Sequence, residues 1–571
     1  MIPRPEYPLP QFERQNWVNL NGQWQFLIDN GDSGREQDFQ NTAPFDQEIT
    51  VPFAPESDLS GIGHKDFMNA VWYQRTITVS EADLKQVLRL HFGAVDYEAH
   101  VYVNGVEVGT HRGGYSSFFL DIQDACTPGD NRLTVLARDP MRAQAYPHGK
   151  QSHVFYSQGC DYTRTTGIWQ TVWLEKLPVA HLASVNYAPN IAAPAVTLQL
   201  KVTAPGTVHA AIAYDGVACG EGDVAIAGTT GSVTIPLSEK HLWEISHGRL
   251  YDVTLTFGED EVHSYFGLRE VAMNNGQFLL NGQPVFQKLV LDQGFYPDGI
   301  YTAPSDDALK NDIALSQACG FNGARLHQKA FEPRFLTHCD EAGYIVWGEM
   351  ASWGLNVAKA DAPLWFLPEW EEVMARDTAH PAIVTWCPLN ETWDIDGHQQ
   401  NNDVLALIYH TTKAIDPSRP VVDTSGNFHV ITDIYDVHNY EQDPAKLKEK
   451  FDGSKQPNGH FWDEHDARQQ YAGQPINVSE YGGIKWVPDA DAQNRAWGYG
   501  EGPKDEADFV ARFKGLADVL LDDADVYGFC YTQLYDVEQE RNGLYYYDRT
   551  PKFDVAQFKA ALDRPSANET K

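Results

Sequence analysis

After residue 267 the chain alternates between short apolar, β-branched segments and segments of helix length, and this alternation limits the fold more than any other feature. Such an order is typical of a parallel sheet, because a crossover must return the chain to the start of the next strand. Eight strand candidates within residues 268–571 predict a (β/α)₈ TIM barrel, with helices at Asp306–Ala318 and Phe509–Leu521. The strand candidates are Val285–Leu291, Gly323–Leu326, Tyr344–Gly348, Ala382–Pro388, Pro420–Asp423, Ile434–His438, Ile476–Glu480 and Val526–Tyr531.

Two of the predicted strands lead to a glutamate. Glu391 follows Ala382–Pro388 and comes directly after Asn390, and Glu480 is the last residue of Ile476–Glu480. The two glutamates are 89 residues apart, which suits a few βα units of roughly 30 residues each. Catalytic groups of a barrel lie at the C-terminal ends of its strands, so we expect the two carboxylates to meet there. Taken alone, each is more often an ordinary loop glutamate.

A pair of carboxyl groups across one sugar is the arrangement that cleaves glycosidic bonds. One carboxyl group protonates the leaving oxygen, and the other attacks the sugar carbon or activates a water. The chain also has 15 Trp, 27 Tyr and 27 Phe. Flat aromatic faces suit a sugar-binding cleft, although core packing accounts for them equally well.

The residues before the barrel predict two all-β domains. Ala99–Val103, Asn104-Gly105 and Val106–Gly109 read as a hairpin with a two-residue turn. Short strands with regular turn signals predict a β jelly-roll sandwich over residues 1–178. Residues 179–267 carry further short strands without a disulfide pattern and predict an immunoglobulin-like β-sandwich. Residues 268–571 then form the barrel, and the polar tail Arg564–Lys571 is expected to fray.

Charge and cysteine content narrow the class of protein. With 43 basic and 79 acidic residues the formal net charge is −36, and no basic run is present, so neither nucleic acid nor a membrane surface is an expected partner. Bulk acidity also disfavours anionic polymers unless a local basic pocket overrides it. The seven cysteines lack a Cys-x-x-Cys pair and predict free thiols. Without an apolar leader or an 18-residue apolar run, we expect a cytoplasmic enzyme, and we expect no cofactor.

Three motifs give nearly the whole chain a resemblance to glycoside hydrolase family 2, which contains β-galactosidases, β-glucuronidases and β-mannosidases. The resemblance implies the same three domains in the same order, and a dimer or higher assembly. The motifs are Asn390-Glu391 for the acid/base, Ser479-Glu480-Tyr481-Gly482 for the nucleophile, and Phe266-Gly267-Leu268-Arg269 for the lead-in to the barrel.

The resemblance implies a retaining exo-β-glycosidase, with a β-galactosidase as the first hypothesis. Glu480 would attack the anomeric carbon, and Glu391 would protonate the leaving oxygen and later deprotonate a water. This geometry needs the carboxyl groups about 5–5.5 Å apart. Glu391 must begin protonated, so burial or neighbouring negative charge is expected to raise its pKa. Arg325 and Tyr440 resemble the family residues that hold the nucleophile.

Further substrate contacts follow from the same resemblance. Asn390 is expected to hydrogen-bond the sugar 2-hydroxyl. Asp161 lies in a segment that resembles a first-domain loop reaching into the barrel mouth, with a turn aspartate as the alternative. The remaining candidates are His438, Trp486 and, at the position of a family aromatic under the sugar ring, Tyr531 and Gln533.

Departures from the family pattern fall around the sugar pocket. Asp292 and Gln293 stand where many members carry an Asn-x-His motif, and His327-Gln328 follows the second strand in place of Ser-His. These side chains are expected to shape a different glycone pocket. Gly348–Trp353 lacks the carboxylate-x-His ligands of the large β-galactosidases, so we expect no metal at the active site.

Two alternatives stay open. Glu538–Leu544 lacks the Asn-x-Lys pair with which β-glucuronidases hold a carboxylate, but Arg541 or Lys485 could replace it. A β-uronidase, acting on glucuronides or galacturonides, is therefore the second hypothesis. The third is a carbohydrate-binding protein whose barrel has lost catalysis, against which the presence of both glutamates argues. Nitrophenyl glycosides of galactose, glucuronic acid and galacturonic acid separate the two enzyme hypotheses.

Overall fold

A parallel barrel occupies the C-terminal half of the chain. In the computed structural model, which describes residues 2–142, 146–488 and 495–571, seven of its strands form one parallel sheet. In chain order the barrel strands are β1 Gln287–Asp292, β2 Gly323–Leu326, β3 Ile345–Glu349, β4 Ile383–Cys387, β5 Thr424–Ser425, β6 Tyr435–Asn439, β7 Ile476–Gly482 and β8 Val526–Thr532. The sheet runs β4-β3-β2-β1-β8-β7-β6, and the predicted TIM barrel is confirmed.

The fifth strand departs from the prediction, which placed it at Pro420–Asp423. Within that segment Val421 forms a single bridge with Trp386 of β4. The paired strand β5 lies further along the chain and pairs with Leu389–Asn390. The Asp433 carboxylate accepts the Val421 N–H at 2.9 Å. The segment keeps two hydrogen bonds to β4, Trp386 N–H to the Pro420 carbonyl and Val422 N–H to the Trp386 carbonyl, and the ladder does not continue through Val421 N–H because a side chain takes this donor.

Helices follow most of the strands. In the described part of the barrel they are α1 Asp306–Ala318, α2 Pro333–Ala342, α3 Pro363–Asp377, α4 Asn402–Ile415, α5 Pro444–Lys450, α6 Glu506–Leu521 and α7 Ala556–Leu562. Helix α1 has the predicted bounds, and the Ser305 side chain caps it. Helix α6 begins three residues before the predicted start, because the Asp505 side chain accepts the Asp508 N–H.

Two antiparallel sheets form the predicted N-terminal sandwich. One sheet contains, in spatial order, Trp17–Asn19, Val172–Leu177, Val87–Phe92 and Phe118–Asp121. The other contains Gln47–Val51, Gly22–Ile28, Ala70–Val79, Gly129–Arg138, Glu98–Val103 and Val106–Arg112, while Val95–Asp96 pairs with Gly167–Ile168 and Phe39–Thr42 is a short helix. The predicted hairpin turn is present, since Asn104 and Gly105 have φ angles of 52° and 83°. Both angles lie in the left-handed region that a type I′ turn requires.

A second sandwich follows the first. Its three-stranded sheet contains Leu182–Asn190, Ala195–Val202 and Thr230–Pro236, and its four-stranded sheet contains Val217–Ile226, Gly206–Tyr214, Leu250–Phe257 and Asp260–Gly267. Leu198, Ile212 and Val253 belong to one buried core that both sheets share. Three short strands, Val271–Asn274, Gln277–Leu280 and Gln283–Pro284, then lead into the barrel.

One loop of the first sandwich reaches the mouth of the barrel. The main-chain N–H groups of His148 and Gly149 donate to the Trp353 carbonyl at 2.8 and 3.1 Å. Tyr162, further along the same loop, is buried in the hydrophobic core that contains the barrel strands. Hydrogen bonds and apolar burial therefore hold this loop against the C-terminal ends of the strands.

The C-terminal tail does not fray as predicted. Ser566 and Asn568 are buried, and Asn568 Nδ2 donates to the carbonyls of Gly276 and Ala524 at 3.2 and 2.8 Å. A polar tail remains ordered here because its polar groups find partners in the barrel.

All seven cysteines are unpaired, and six of them are buried, in line with the predicted free thiols. Within the described residues, the structure contains no helix with the length and apolar character needed to cross a membrane.

Candidate active site

Glu391 and Glu480 face each other at the C-terminal ends of barrel strands. Three atoms lie within 4.8 Å of one another: a carboxylate oxygen of Glu391, a carboxylate oxygen of Glu480 and a ring nitrogen of His438. Glu391 has a φ of 44°, which is uncommon for a residue other than glycine, and its N–H donates to the Ser425 carbonyl at 2.9 Å. Two carboxylates at this separation are able to act on one glycosidic bond.

Two donors hold the carboxylate of Glu480. Arg325 Nη1 donates to Oε1 at 2.9 Å, and the Tyr440 hydroxyl donates to Oε2. Arg325 is fully buried, and its Nε donates to Glu349 Oε2 at 2.6 Å, so one guanidinium links two carboxylates. The Tyr440 ring stacks on Tyr499 with 3.4 Å between the ring centroids. Glu480 is therefore oriented from two sides.

His438 lies between the two glutamates. Its Nδ1 is 2.6 Å from Glu391 Oε1, and its Nε2 is 3.4 Å from Glu480 Oε1. Burial lowers the pKa of His438, but the charges of Glu480 and Glu391 raise it above its ordinary value. The two neighbouring carboxylates therefore favour the protonated form of the imidazole.

The pKa of Glu391 departs from the predicted direction. Burial raises the pKa of Glu391, but the hydrogen bond and charge of His438, the Trp393 indole N–H and the Lys150 charge together lower it below its ordinary value. Because Glu391 Oε1 and His438 Nδ1 are 2.6 Å apart, the protonation of one group affects the protonation of the other. A proton for acid catalysis therefore has two possible carriers at this place, the Glu391 carboxylate and the His438 imidazole.

Asn390 presents an unused donor to the same space. Its Oδ1 accepts from Arg325 Nη2 at 2.6 Å. Its Nδ2 is buried and has no hydrogen-bond partner among the described residues. A buried donor without an acceptor costs free energy, so this amide is suited to donate to a ligand hydroxyl.

A pocket of about 360 Å³ opens beside Glu391 and Asn390. Asp161, from the first-sandwich loop, lines one wall, and burial raises the pKa of Asp161 above its ordinary value. Trp353 and the half-exposed Trp393 also line the pocket. Its size and aromatic lining suit a small ligand such as a sugar.

Lys150 enters the site from the same loop. Its ammonium lies 5.4 Å from the centroid of Trp353 and 6.0 Å from that of Tyr162, and the residue is 6% exposed. Among the described residues, none accepts a hydrogen bond from this ammonium or forms an ion pair with it. Burial lowers the pKa of Lys150, but the Cys160 thiol and several carboxylates, led by Glu540, raise it above its ordinary value. Within the described part of the chain, this charged ammonium therefore contacts two aromatic rings and has no hydrogen-bond or ion-pair partner.

Five buried polar side chains connect the first sandwich to the loop after β8. Gln293 Nε2 donates to the Tyr162 hydroxyl and to Gln533 Oε1, both at 2.8 Å. Gln533 in turn donates to Asn542, Asn542 donates to Glu540, and the Tyr162 hydroxyl donates to Glu540. The five side chains therefore form a closed ring of hydrogen bonds. Gln293 Oε1 remains buried without a partner among the described residues and is suited to accept from a hydroxyl.

Comparison with known proteins identifies the family. Residues 271–564 match the family model for the TIM barrel domain of glycosyl hydrolases family 2, and residues 62–178 match the model for the sugar-binding domain of the same family. The chain belongs to glycoside hydrolase family 2. The protein is accordingly a glycoside hydrolase, and its substrate is a carbohydrate.

Individual relatives of this family 2 enzyme are distant in sequence. A β-glucuronidase from Streptococcus agalactiae serotype V is 23% identical over 450 residues, which cover 73% of each chain. A β-galactosidase from Photobacterium profundum is 25% identical over 444 residues, which cover 72% of this chain and 40% of the relative. A solved β-glucuronidase structure from an uncultured Clostridium sp. has a TM-score of 0.81 and 20% identity, covering 98% of this chain and 99% of the other, and so shows the same fold. Most of the similar proteins are named β-glucuronidases.

Two predicted aromatic contacts lie outside the pocket of the family 2 enzyme. Trp486 packs on Phe509 and Phe553 in the outer layer of the barrel, with 6.1 and 5.0 Å between ring centroids. Tyr531 of β8 is fully buried and packs on Phe513 of α6. Side chains alternate along a barrel strand between the interior and the helix layer, and Tyr531 points to the helices. The prediction that Trp486 and Tyr531 contact sugar is therefore wrong in geometry.

The cations predicted to hold a uronate also lie elsewhere. Arg541 lines a separate cleft, where its Nη1 is 3.8 Å from Asp536 Oδ2. Lys485 packs beside Gly498. Neither residue lines the pocket beside Glu391, a lining that also does not include Lys150 or Glu480.

The residues that depart from the family pattern act mainly through protein contacts. Asp292 Oδ1 accepts a main-chain N–H at 2.9 Å, and Gln328 Oε1 accepts the Ser352 N–H at 2.8 Å. His327 Nδ1 lies 2.9 Å from Glu349 Oε1, and its Nε2 faces the nucleophile candidate at 4.0 Å. His327 therefore borders the site directly, whereas Asp292 and Gln328 fix the neighbouring loops.

Sequence reasoning missed four residues of the site. Glu349 is the last residue of β3, so the rule that pointed to the two glutamates at strand ends could have found it. Lys150 and Tyr162 lie in a sandwich loop, and Glu540 lies in a long loop after β8. No local pattern marks these three residues, because only the tertiary fold brings them together.

Proposed function

We propose that this enzyme is a retaining exo-β-glycosidase whose glycone is a uronic acid. The observation that carries the proposal is Lys150, a buried, charged ammonium without a hydrogen-bond or ion-pair partner in the described chain, close enough to Glu391 and Glu480 for their charges to raise its pKa. A buried charge without a partner is costly, and a carboxylate ligand would compensate it. The names of most similar proteins, β-glucuronidases, support the same glycone.

The spacing of the carboxylates supports retention of configuration. An oxygen of Glu391 and one of Glu480 lie within 4.8 Å of each other. Retaining enzymes have carboxyl groups about 5–5.5 Å apart, and inverting enzymes need about 6.5–9.5 Å to admit a water. The short separation favours direct attack by a carboxylate.

In the first step a Glu480 oxygen bonds to the anomeric carbon. The bond from that carbon to the leaving oxygen breaks, its electron pair stays on the leaving oxygen, and Glu391 supplies the proton that neutralises it. Arg325 and Tyr440 orient the attacking carboxylate through their hydrogen bonds. Asn390 Nδ2 donates to the sugar 2-hydroxyl, where a hydrogen bond strengthens in the transition state.

In the second step a water replaces the aglycone. Glu391 takes one proton from this water, the water oxygen bonds to the anomeric carbon, and the bond to Glu480 breaks. The first proton has left with the aglycone, so Glu391 is ionised between the two steps, and His438 Nδ1 lies 2.6 Å from this carboxylate. The sugar leaves with the configuration that it had in the substrate.

The experiment compares nitrophenyl β-glucuronide, β-galacturonide and β-galactoside with wild-type protein and with Lys150→Met. We expect a uronide to have the highest kcat/KM. Lys150→Met should lower kcat/KM for that uronide about 100-fold, because a hydrogen bond to a charged group contributes about 1.5–3 kcal/mol. The kcat/KM of Lys150→Met for the β-galactoside should differ from that of wild-type protein by less than about threefold.

Lys201→Met is the matched control, because Lys201 is exposed on the second sandwich. This control should leave kcat/KM unchanged for all three substrates. A preference for the β-galactoside, with an equal effect of Lys150→Met on every substrate, would reject the uronic acid glycone.

A neutral glycone, as in a β-galactosidase, is the second candidate. It is favoured by Glu540, a buried carboxylate that contributes to the raised pKa of Lys150 and lies in the loop after β8. A carboxylate at this place repels a uronate. The same substrate panel decides between the two candidates.

A further inference from the structure

A second, larger cleft lies beside the active site. Its volume is about 1240 Å³, and it is bounded by residues 155–164, by the loop after β8 and by residues 495–496. The Gln158–Asp161 turn separates it from the catalytic pocket. Gln158 and Gly159 line the cleft, whereas Asp161 lines the pocket beside Glu391.

The charge of this cleft is opposite to that of the whole protein. Its lining includes four cations, Lys65, Arg164, Arg495 and Arg541, and one carboxylate, Glu538. The full chain has a formal net charge of −36. A local excess of positive charge in an acidic protein attracts anions to that place.

Close counterions are scarce around these cations in the described part of the chain. Among the described residues no carboxylate lies within 4.0 Å of Lys65, Arg164 or Arg495, and Arg541 has one at 3.8 Å with 41% of its side chain exposed. Arg164 directs its Nη groups to main-chain carbonyls, including that of Lys65. Hydrogen bonds to carbonyls satisfy its donors, and the carboxylates that act on its charge, Glu56, Asp139 and Asp66, lie beyond 4.0 Å.

Aromatic rings complete the lining. Phe155 and Tyr156 are 60% and 63% exposed, and Tyr547 lies in the same cleft. Large aromatic side chains that remain exposed beside a cleft mark a ligand surface. A flat ring packs against the apolar face of a sugar, and a guanidinium pairs with a carboxylate through two parallel hydrogen bonds.

We propose that this cleft is a second binding site, for an oligosaccharide that carries carboxylates. The cations recognise the acidic groups, and the aromatic rings recognise the sugar faces. The site is distinct from the catalytic pocket, because the Gln158–Asp161 turn lies between them. The proposal does not depend on which glycone the active site removes.

Calorimetric titration with trigalacturonate tests this site, because the α-linkages of this trimer are not substrates for a β-glycosidase. The test variant is the double substitution Lys65→Glu/Arg541→Glu. The control is Lys201→Glu/Lys240→Glu, which makes the same charge change at two exposed residues of the second sandwich. We expect the test variant to lose at least about tenfold in affinity and the control to retain wild-type affinity. Maltotriose, a neutral trimer, should bind at least about tenfold more weakly than trigalacturonate.

Hydrolysis of a nitrophenyl glycoside should be unchanged in both variants. Lys65→Gln/Arg541→Gln repeats the test without charge reversal, and thermal melting checks that each variant is folded. Absence of trigalacturonate binding to wild-type protein would overturn the proposal. Equal affinity of the test and control variants for trigalacturonate would also overturn it. Competition between trigalacturonate and the nitrophenyl substrate would overturn it as well, because the trimer would then occupy the catalytic pocket.

Discussion

At the scale of single residues, the two glutamates differ in their partners. Glu480 is held by a guanidinium and a phenol, which keep an attacking carboxylate in place, whereas Glu391 contacts a titratable imidazole. A fixed carboxylate suits a nucleophile, and a carboxylate paired with another titratable group suits proton transfer.

Substitution of each glutamate should reveal these roles. Glu480→Gln should lower kcat at least about 10⁴-fold on every substrate, since an amide does not attack. Glu391→Ala should keep more activity on dinitrophenyl glycosides, whose leaving group needs little proton assistance, and azide should restore turnover. Steady-state kinetics and proton NMR of the first-formed sugar provide the measurements. Equal losses without rescue would reverse the assignment, and an inverted anomer would exclude the retaining mechanism.

His438 should set the alkaline limit of activity. The His438–Glu391 pair keeps its proton until the pH passes the pKa of His438, which is raised above its ordinary value of about 6.5. In His438→Gln, Glu391 alone must hold this proton, and a carboxyl group loses its proton at lower pH. The alkaline limb of kcat/KM for a phenyl glycoside should therefore move down by about one pH unit or more.

The matched control for this profile is a dinitrophenyl glycoside, whose leaving group departs without a proton. Its alkaline limb should be nearly the same in wild-type protein and His438→Gln. An unchanged profile for the phenyl glycoside would show that His438 does not share the catalytic proton.

The sequence predicted the residues of the site better than their electrostatics. Arg325 and Tyr440 both donate to Glu480, and Asn390 lies beside Glu391. Their positions at or near strand ends make such residues visible in the sequence. The lowered pKa of Glu391 was not predictable, because it depends on a hydrogen bond from a different strand and on charges from another domain.

At the scale of elements, helices and strands with local sequence signals were predictable, whereas those determined by hydrogen bonds to distant side chains were not. The hairpin around Asn104-Gly105 and helix α1 follow from local signals, namely a turn dipeptide and an N-cap. The fifth strand and the C-terminal tail depart from prediction because distant partners determine them. In the predicted fifth strand, the Asp433 side chain accepts the Val421 N–H in place of a main-chain carbonyl. In the tail, Asn568 donates to the Ala524 carbonyl of the barrel.

The turn between the catalytic pocket and the basic cleft is one element whose position should affect turnover. Gln539 Nε2 donates to the carbonyls of Gly159 and Asp161, both at 2.9 Å. Gln539→Ala should free this turn and raise KM about three- to tenfold, because each lost hydrogen bond contributes about 0.5–1.5 kcal/mol.

The effect of Gln539→Ala on kcat should be smaller, since the turn positions substrate and does not hold the two glutamates. Gln557→Ala, on the exposed side of α7, is the control and should leave KM unchanged. Steady-state kinetics with the preferred nitrophenyl glycoside measures both values. A lower kcat with an unaltered KM would place the turn in the chemical step instead.

At the scale of the whole molecule, the three parts contribute unequally to the active site. The barrel supplies Glu391, Glu480 and the residues around them. The first sandwich supplies Asp161 and Lys150 through one loop, which the Trp353 carbonyl holds at the barrel mouth. Among the residues that we place in the active site, none comes from the second sandwich.

Because one loop of the sandwich carries Lys150 and Asp161, bond breaking and sugar choice are encoded in separate stretches of the gene. The barrel alone supplies the two reactive carboxylates and lacks Lys150 and Asp161, the two groups that we propose to contact the sugar. Selectivity and proton transfer meet at Lys150, whose charge also lowers the pKa of Glu391, so Asp161 is the clearer starting point for redesign of this loop.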